Sequence, residues 1–182
     1  MQISIKSNTY IYLAVLLFFI PVKWMISWVI AIVFHELCHL LAVKISGGEI
    51  IGLTIGLGGA EIQCGNMTQK SRMFSVLLGP IGGLALSLFD RWIPKIAICS
   101  LFLSVYNLIP ILPLDGGRAL HILFGEKRWF YNFQKILLIF ILFLSLYIAF
   151  FMKIGLLPIV IAVILYWKYR KIPCKQGCCI VQ

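Results

Sequence analysis

Two histidines four residues apart bracket a glutamate in the run His35-Glu36-Leu37-Cys38-His39. On an α-helix, positions i and i+4 point about 40° apart, so both imidazoles can face one ion, while Glu36 projects to the flank, about 60° from His39. Two neutral nitrogen donors with a carboxylate beside the ion are the arrangement of a zinc-dependent hydrolytic site. The same pentapeptide arises by chance on soluble helices, where its histidines are polar surface residues. Here the flanking residues are apolar, and three ionisable groups within five positions of an apolar helix persist only when paired, bound to an ion or turned toward water.

A catalytic zinc takes three protein ligands and keeps one position open, so a third donor must come from elsewhere in the chain. The other acidic residues are Glu49, Glu61, Asp90, Asp115 and Glu126. Of these only Asp115 stands at the end of an apolar stretch among glycines, in Asn107-Leu-Ile-Pro-Ile-Leu-Pro-Leu-Asp-Gly-Gly-Arg118. Pro110 and Pro113 interrupt the helix before it, and unwound backbone is tolerated at membrane depth only where protein or water satisfies it. The interruption allows Asp115 to bend back toward the metal.

The elements that must position these groups are apolar. The chain has 182 residues, 62% hydrophobic and 12% charged, with a mean hydropathy of +1.01. A span needs roughly 20 apolar residues, so the chain reads as an all-α polytopic membrane protein of about six transmembrane helices. The stretches are Asn8 to Val22, Trp24 to Ile45, Met73 to Phe89, Ile93 to Leu112, Trp129 to Met152 and Ile154 to Trp167. The first lacks a small-residue cleavage site and reads as a span, not a removable signal peptide. One transmembrane domain is expected over residues 1–172, with a short Cys-containing cytoplasmic tail at 173–182.

The segment Glu49 to Gln63 departs from this pattern. It alternates loosely, is β-branched in places and is punctuated by glycines, which predicts a small β-hairpin or re-entrant strand segment near residues 49–64. Such backbone cannot face lipid with its hydrogen bonds unmade, so it must pack on protein or line a wet cavity. Its edge would offer partners to an extended substrate, the β-addition mode of recognition.

Charge sets the orientation. Six spans with an internal N-terminus place twelve of the sixteen basic residues on the cytoplasmic side, leaving Lys23, Arg91, Lys95 and Lys153 outside. Both termini are therefore expected in the cytoplasm, and His35, His39 and Asp115 near the cytoplasmic face. The net charge of +10 follows from this bias and implies no nucleic-acid partner. Of the six cysteines, Cys38 reads as a small buried thiol, and Cys174, Cys178 and Cys179 as reduced thiols without a fourth metal ligand.

With both segments on the page, the chain resembles the site-2 protease family of intramembrane zinc metalloproteases, peptidase family M50. That family's HExxH signature is matched by His35, Glu36 and His39. Its NxxPxxPxDG signature is matched by Asn107, Pro110, Pro113, Asp115 and Gly116. Gly58-Gly59 and Gly79-Pro80 also match, and the resemblance runs from about Val29 to Phe140. It is strongest to the members that process a membrane-associated sigma-factor precursor during bacterial sporulation. Those continue into a nucleotide-binding regulatory domain, whereas this sequence stops at Gln182.

The resemblance implies one Zn2+ per chain held by His35, His39 and Asp115, Glu36 as general base and then proton donor to the leaving amine, and Asn107 near the oxyanion. It also implies a metalloendopeptidase, multi-pass in a bacterial inner membrane, whose partners are the bilayer, a membrane-associated protein substrate and regulatory membrane proteins. The substrate is a sigma-factor precursor or, alternatively, an anti-sigma factor or signal-peptide remnant. A zinc transporter would need further histidines or carboxylates along several spans, which supply almost none. An inactive relative is the other reading, against which every expected catalytic residue type is present.

Overall fold

Pro21 opens the first helix, its carbonyl accepting from Trp24 N at 2.8 Å and Met25 N at 3.2 Å. The computed structural model describes residues 2–5, 21–56, 59–65, 67–125, 127–151, 157–170 and 180–181. They divide into one unit of Met1–Leu108 with Gly177–Gln182, and a second of Ile109–Gln176.

In the first unit, helix α1 spans Val22–Ile45. Its end is a Schellman turn: Gly48 N donates to Val43 O at 3.0 Å and Gly47 N to Lys44 O at 3.2 Å. Gly47 adopts the left-handed φ of 71° that the turn requires. Helices α2, Gln69–Ser87, and α3, Pro94–Leu108, follow. The Thr68 side chain caps α2 by accepting from Ser71 N at 3.2 Å. The three helices pack on one another, and small residues let them approach. Ser100 Oγ donates to Gly83 O at 3.0 Å, and a Cβ at Gly83 would lie 2.1 Å from Ser104 Oγ.

Burial on α1 is inverted relative to a soluble helix. Ser27, Ala31, His35, His39 and Ala42 form the buried stripe, while Ile30, Val33, Leu37 and Leu41 are 42%, 51%, 55% and 54% exposed. Small and polar groups face protein and large apolar groups face outward, the distribution that hydrocarbon surroundings favour.

Strands β2, Glu49–Gly56, and β3, Gly59–Gly65, form the expected antiparallel hairpin, with a register shift between Ile50 and Gly52. Two pairings beyond that expectation complete a four-stranded sheet of order β1-β2-β3-β4. Strand β1, Gln2–Ile5, runs parallel to β2 along Gly52 to Ile55, and β4, Ile180–Val181, pairs with Ile62 and Gln63 of β3. The hairpin packs on α1.

The second unit begins with irregular backbone over residues 109–114 and continues into α4, Asp115–Phe124, α5, Arg128–Phe151, and α6, Leu157–Arg170. Helix α5 packs on α6. It buries Phe130, Gln134, Leu138 and Ser145 and turns most of its large apolar side chains outward.

The chain is mostly helical, and among the described residues α1 and α5 are long and apolar enough to cross a membrane, with mean window hydropathies of 1.9 and 2.2. Helices α3 and α6, of 15 and 14 residues, fall short of the roughly 20 residues of a full span. The expected stretch Ile93 to Leu112 ends as helix at Leu108, and the short helix α4 was not expected from the sequence. The stretch Asn8 to Val22 lies outside the described residues except for Pro21 and Val22, where α1 starts. Gly58, Cys174, Cys178 and Cys179 lie outside them as well.

Candidate metal centre

His35 and His39 follow one another at one helical turn on the buried face of α1 and are 3% and 1% exposed. Their Nε2 atoms stand 3.2 Å apart. Two nitrogens on one tetrahedral zinc, at bonds of 2.0–2.1 Å, stand about 3.3 Å apart. The two rings are therefore spaced as a pair of zinc ligands.

The tautomer of His39 agrees. Its Nδ1 lies 2.7 Å from the Ser75 carbonyl on α2. A carbonyl only accepts, so Nδ1 carries the hydrogen, which leaves Nε2 as the nitrogen available to a metal. An imidazole that donates its other N–H to a backbone carbonyl is a metal ligand held in orientation. One turn along α2, Gly79 gives the ring its space, since a Cβ there would stand 2.2 Å from His39 Nε2. Ser75 and Gly79 thus form a cradle in which one fixes the ring's rotation and the other admits its edge. Cys38, on a different side of α1, is half-buried and faces Gly82, whose Cβ would lie 2.4 Å from Cys38 Sγ. It is a packing thiol, as expected.

Asp115 is the first residue of α4 and 4% exposed. A helix N-terminus presents backbone N–H groups that the helix itself leaves without acceptors. The second glycine after it has a steric reason: a Cβ at Gly117 would lie 2.2 Å from the Ile111 carbonyl carbon. Among the described residues, His35, His39 and Asp115 are a group of prospective ligands with one atom of each within 4.8 Å of the others. Two imidazoles and a carboxylate are a donor set that suits zinc.

Glu36 is half-buried on α1 beside His35. Asn107 donates from Nδ2 to Leu103 O, one turn back on its own helix, at 3.0 Å. An amide nitrogen carries two hydrogens, and this bond engages one of them. His121 lies against Phe130, with ring centroids 6.0 Å apart, and is not part of the ligand group.

Three contributors escaped the sequence reading. The role of the Ser75 carbonyl is invisible in sequence because any residue supplies one. Gly79 was noticed as part of a glycine-proline pair, but its contact with His39 depends on how α1 and α2 pack. Gln134, whose Oε1 accepts from Leu112 N in the segment leading into Asp115, had a weaker signal: it and Asn132 are the two amide side chains of the most apolar described helix, where a polar group needs a partner.

Residues 87–148 match the model of Peptidase family M50, a stretch that holds Asn107, Asp115 and Gln134 and begins after the two histidines. No curated protein sequence matches the chain. Among solved structures, the chain is similar to the Site-2 Protease from Methanocaldococcus jannaschii, at 21% identity and a TM-score of 0.58, over 80% of this chain and 75% of that one. The chain therefore has the fold of a site-2 protease and carries, in residues 87–148, a match to Peptidase family M50.

Proposed function

We propose that the chain is an intramembrane zinc metalloprotease in which His35, His39 and Asp115 hold the metal and Glu36 moves the proton. The observation that carries this reading is the buried histidine pair, with Nε2 atoms 3.2 Å apart and the His39 ring turned by the Ser75 carbonyl so that its lone pair faces its partner. The match to Peptidase family M50 and the site-2 protease fold support it.

When bound, zinc supplies Lewis acidity at the scissile carbonyl and acidifies a water molecule. Glu36, one residue from His35 and free of ligand duty, takes the proton of the attacking water and returns it to the leaving nitrogen. Asn107 offers its second amide hydrogen to the oxyanion. The buried faces of α1 and α2 keep bulk water from the two histidines, which strengthens each of these interactions.

The substrate is a membrane-associated protein, cut within or near the cytoplasmic side of a bacterial inner membrane that the chain crosses about six times. A helical substrate must unwind to expose a carbonyl, and strand β3 of the hairpin, which pairs with β4 only at Ile62 and Gln63, offers Gly59 to Glu61 as strand edge to receive the extended chain. Among such substrates we favour a sporulation sigma-factor precursor, on the resemblance drawn from the two sequence signatures.

The test joins metal and cleavage. Purified protein should carry about one zinc per chain, with His35→Ala and Asp115→Ala losing most of it and Glu36→Gln keeping it. Co-expressed with sigma-factor precursors, Glu36→Gln should abolish processing. Full zinc in both ligand variants would remove the site, and unimpaired processing by Glu36→Gln would remove its assigned base.

A further inference from the structure

Gln134 is fully buried on α5, a helix whose apolar window has a mean hydropathy of 2.2. An amide in such a place costs stability unless it is used. Its Oε1 accepts from Leu112 N at 3.4 Å, and Leu112 belongs to the irregular segment that leads into Asp115.

That segment can be accounted for donor by donor. Helix α3 ends at Leu108, so the following residues lie beyond its hydrogen-bond ladder. Pro110 and Pro113 have no N–H to give. Ile111 N donates to Ile109 O at 2.7 Å and Leu114 N to Ile111 O at 2.8 Å. The remaining donor of residues 111–114 is Leu112 N, and its acceptor is a side chain from another helix. Ile111 is fully buried and Leu112 is 9% exposed, so water is a poor substitute for Gln134. Buried backbone donors are nearly always paired, and this one is paired by a single side chain.

A second contact meets the same peptide. A Cβ at Gly117 on α4 would lie 2.2 Å from the Ile111 carbonyl carbon and 2.3 Å from Leu112 N. The Ile111–Leu112 peptide is thus held by hydrogen bonding from α5 and by direct backbone apposition from α4. Between it and Asp115 stand only Pro113, whose ring fixes φ, and Leu114, which is buried. Few soft torsions separate the held peptide from the carboxylate, so a rotation at Leu112 is passed on to Asp115.

We propose that Gln134 is a positioning residue for the metal site: by accepting the Leu112 N–H it fixes the turn 111–114 and thereby the orientation of the Asp115 carboxylate toward zinc. The proposal rests on the reading of Asp115 as a zinc ligand. A ligating carboxylate is only as well placed as the backbone beneath it, and loss of an outer contact lowers metal affinity by about 10–100-fold in comparable sites. Gln134 touches neither metal nor substrate in this scheme, and its effect runs through Leu112.

The experiment measures zinc affinity by chelator competition on full-length protein in detergent, beside the thermal unfolding midpoint. Gln134→Leu removes the acceptor and should weaken zinc binding by about tenfold or more. Gln134→Glu, isosteric and neutral when protonated in the interior, keeps a carbonyl acceptor and should bind zinc within about threefold of the unaltered protein. Leu138→Ala, one turn along the same buried face, should lower the unfolding midpoint while leaving zinc affinity within about threefold. The proposal is overturned if Gln134→Leu binds zinc like the unaltered protein, if Gln134→Glu does not rescue, or if Leu138→Ala weakens binding as much as Gln134→Leu. An Asp115→Ala protein that holds zinc as tightly as the unaltered one would instead remove the reading beneath it, and this proposal with it.

Discussion

A histidine that binds a metal needs one nitrogen for the ion and an occupation for the other, and His39 has both. Its Nδ1–H is spent on the Ser75 carbonyl at 2.7 Å, and its Nε2 edge sits where Gly79 leaves room. The predicted consequence is specific to one methyl group. Gly79→Ala places a carbon 2.2 Å from Nε2, so either the ring must turn off Ser75 or α2 must move. Zinc affinity should fall by about tenfold or more, as for loss of an outer contact. Gly82→Ala meets chiefly the Cys38 Sγ, which can rotate away, with the Cys38 Cβ at 3.2 Å and Phe34 Cε1 at 3.7 Å; it touches neither histidine and should bind zinc within about threefold of the unaltered protein. Chelator competition on both variants checks the pair, and equal zinc affinity in the two would show that the cradle has no role. The pairing of His35 with His39 was legible in the sequence because i and i+4 spacing fixes their relation on a single helix. Ser75, Gly79, Gly117 and Gln134 act across elements, a relation that spacing along the chain does not encode.

At the scale of elements, the hairpin was legible from its glycines and alternation, and its antiparallel pairing over Glu49 to Gly65 agrees. The flanking strands β1 and β4 were not, because their partners are distant in sequence and each is short. Helix α4 was missed for a different reason: it opens with Asp-Gly-Gly, residues of poor helix propensity, just after two prolines. The position of β2 between β1 and β3 sharpens a prediction about substrate. Proline at Leu53 or Thr54 removes a ladder donor from a strand paired on both sides. Cleavage should drop severalfold or more, while zinc content stays unchanged, because the proposed ligands sit on α1 and α4. A proline scan from Ile51 to Ile62, reading processing and metal side by side, separates recognition from catalysis. Wild-type cleavage by every variant would reduce the hairpin to a connection and end the β-addition proposal.

Across the whole molecule, the distribution of apolar and basic residues says what solvent the chain is built for. Helices α1 and α2 bury mainly serine, alanine, glycine and histidine, and α1 and α5 expose most of their leucine, isoleucine and phenylalanine, an order that would aggregate in water and suits hydrocarbon. Two described helices meet the length and hydropathy of a span, and the remaining crossings are a proposal tested by where the loops lie. The basic residues supply that prediction. With both termini and the Gly47 to Arg72 segment in the cytoplasm, twelve of the sixteen lysines and arginines fall on that side. Reporter fusions after Gly47, after Arg91, after Lys127 and at the C-terminus should read inside, outside, inside and inside, and the protein should stay in the membrane pellet under alkaline extraction. An external C-terminus would mean an odd number of crossings between the termini, if the N-terminus is internal. It would overturn the six-span arrangement. An external signal at Gly47 would go further, because α1 ends at Ile45 and His39 lies about 9 Å from that end at 1.5 Å per residue. The proposed active site would then open on the opposite side of the membrane from a cytoplasmic substrate, and the sigma-factor precursor would have to be abandoned even if the zinc site stood.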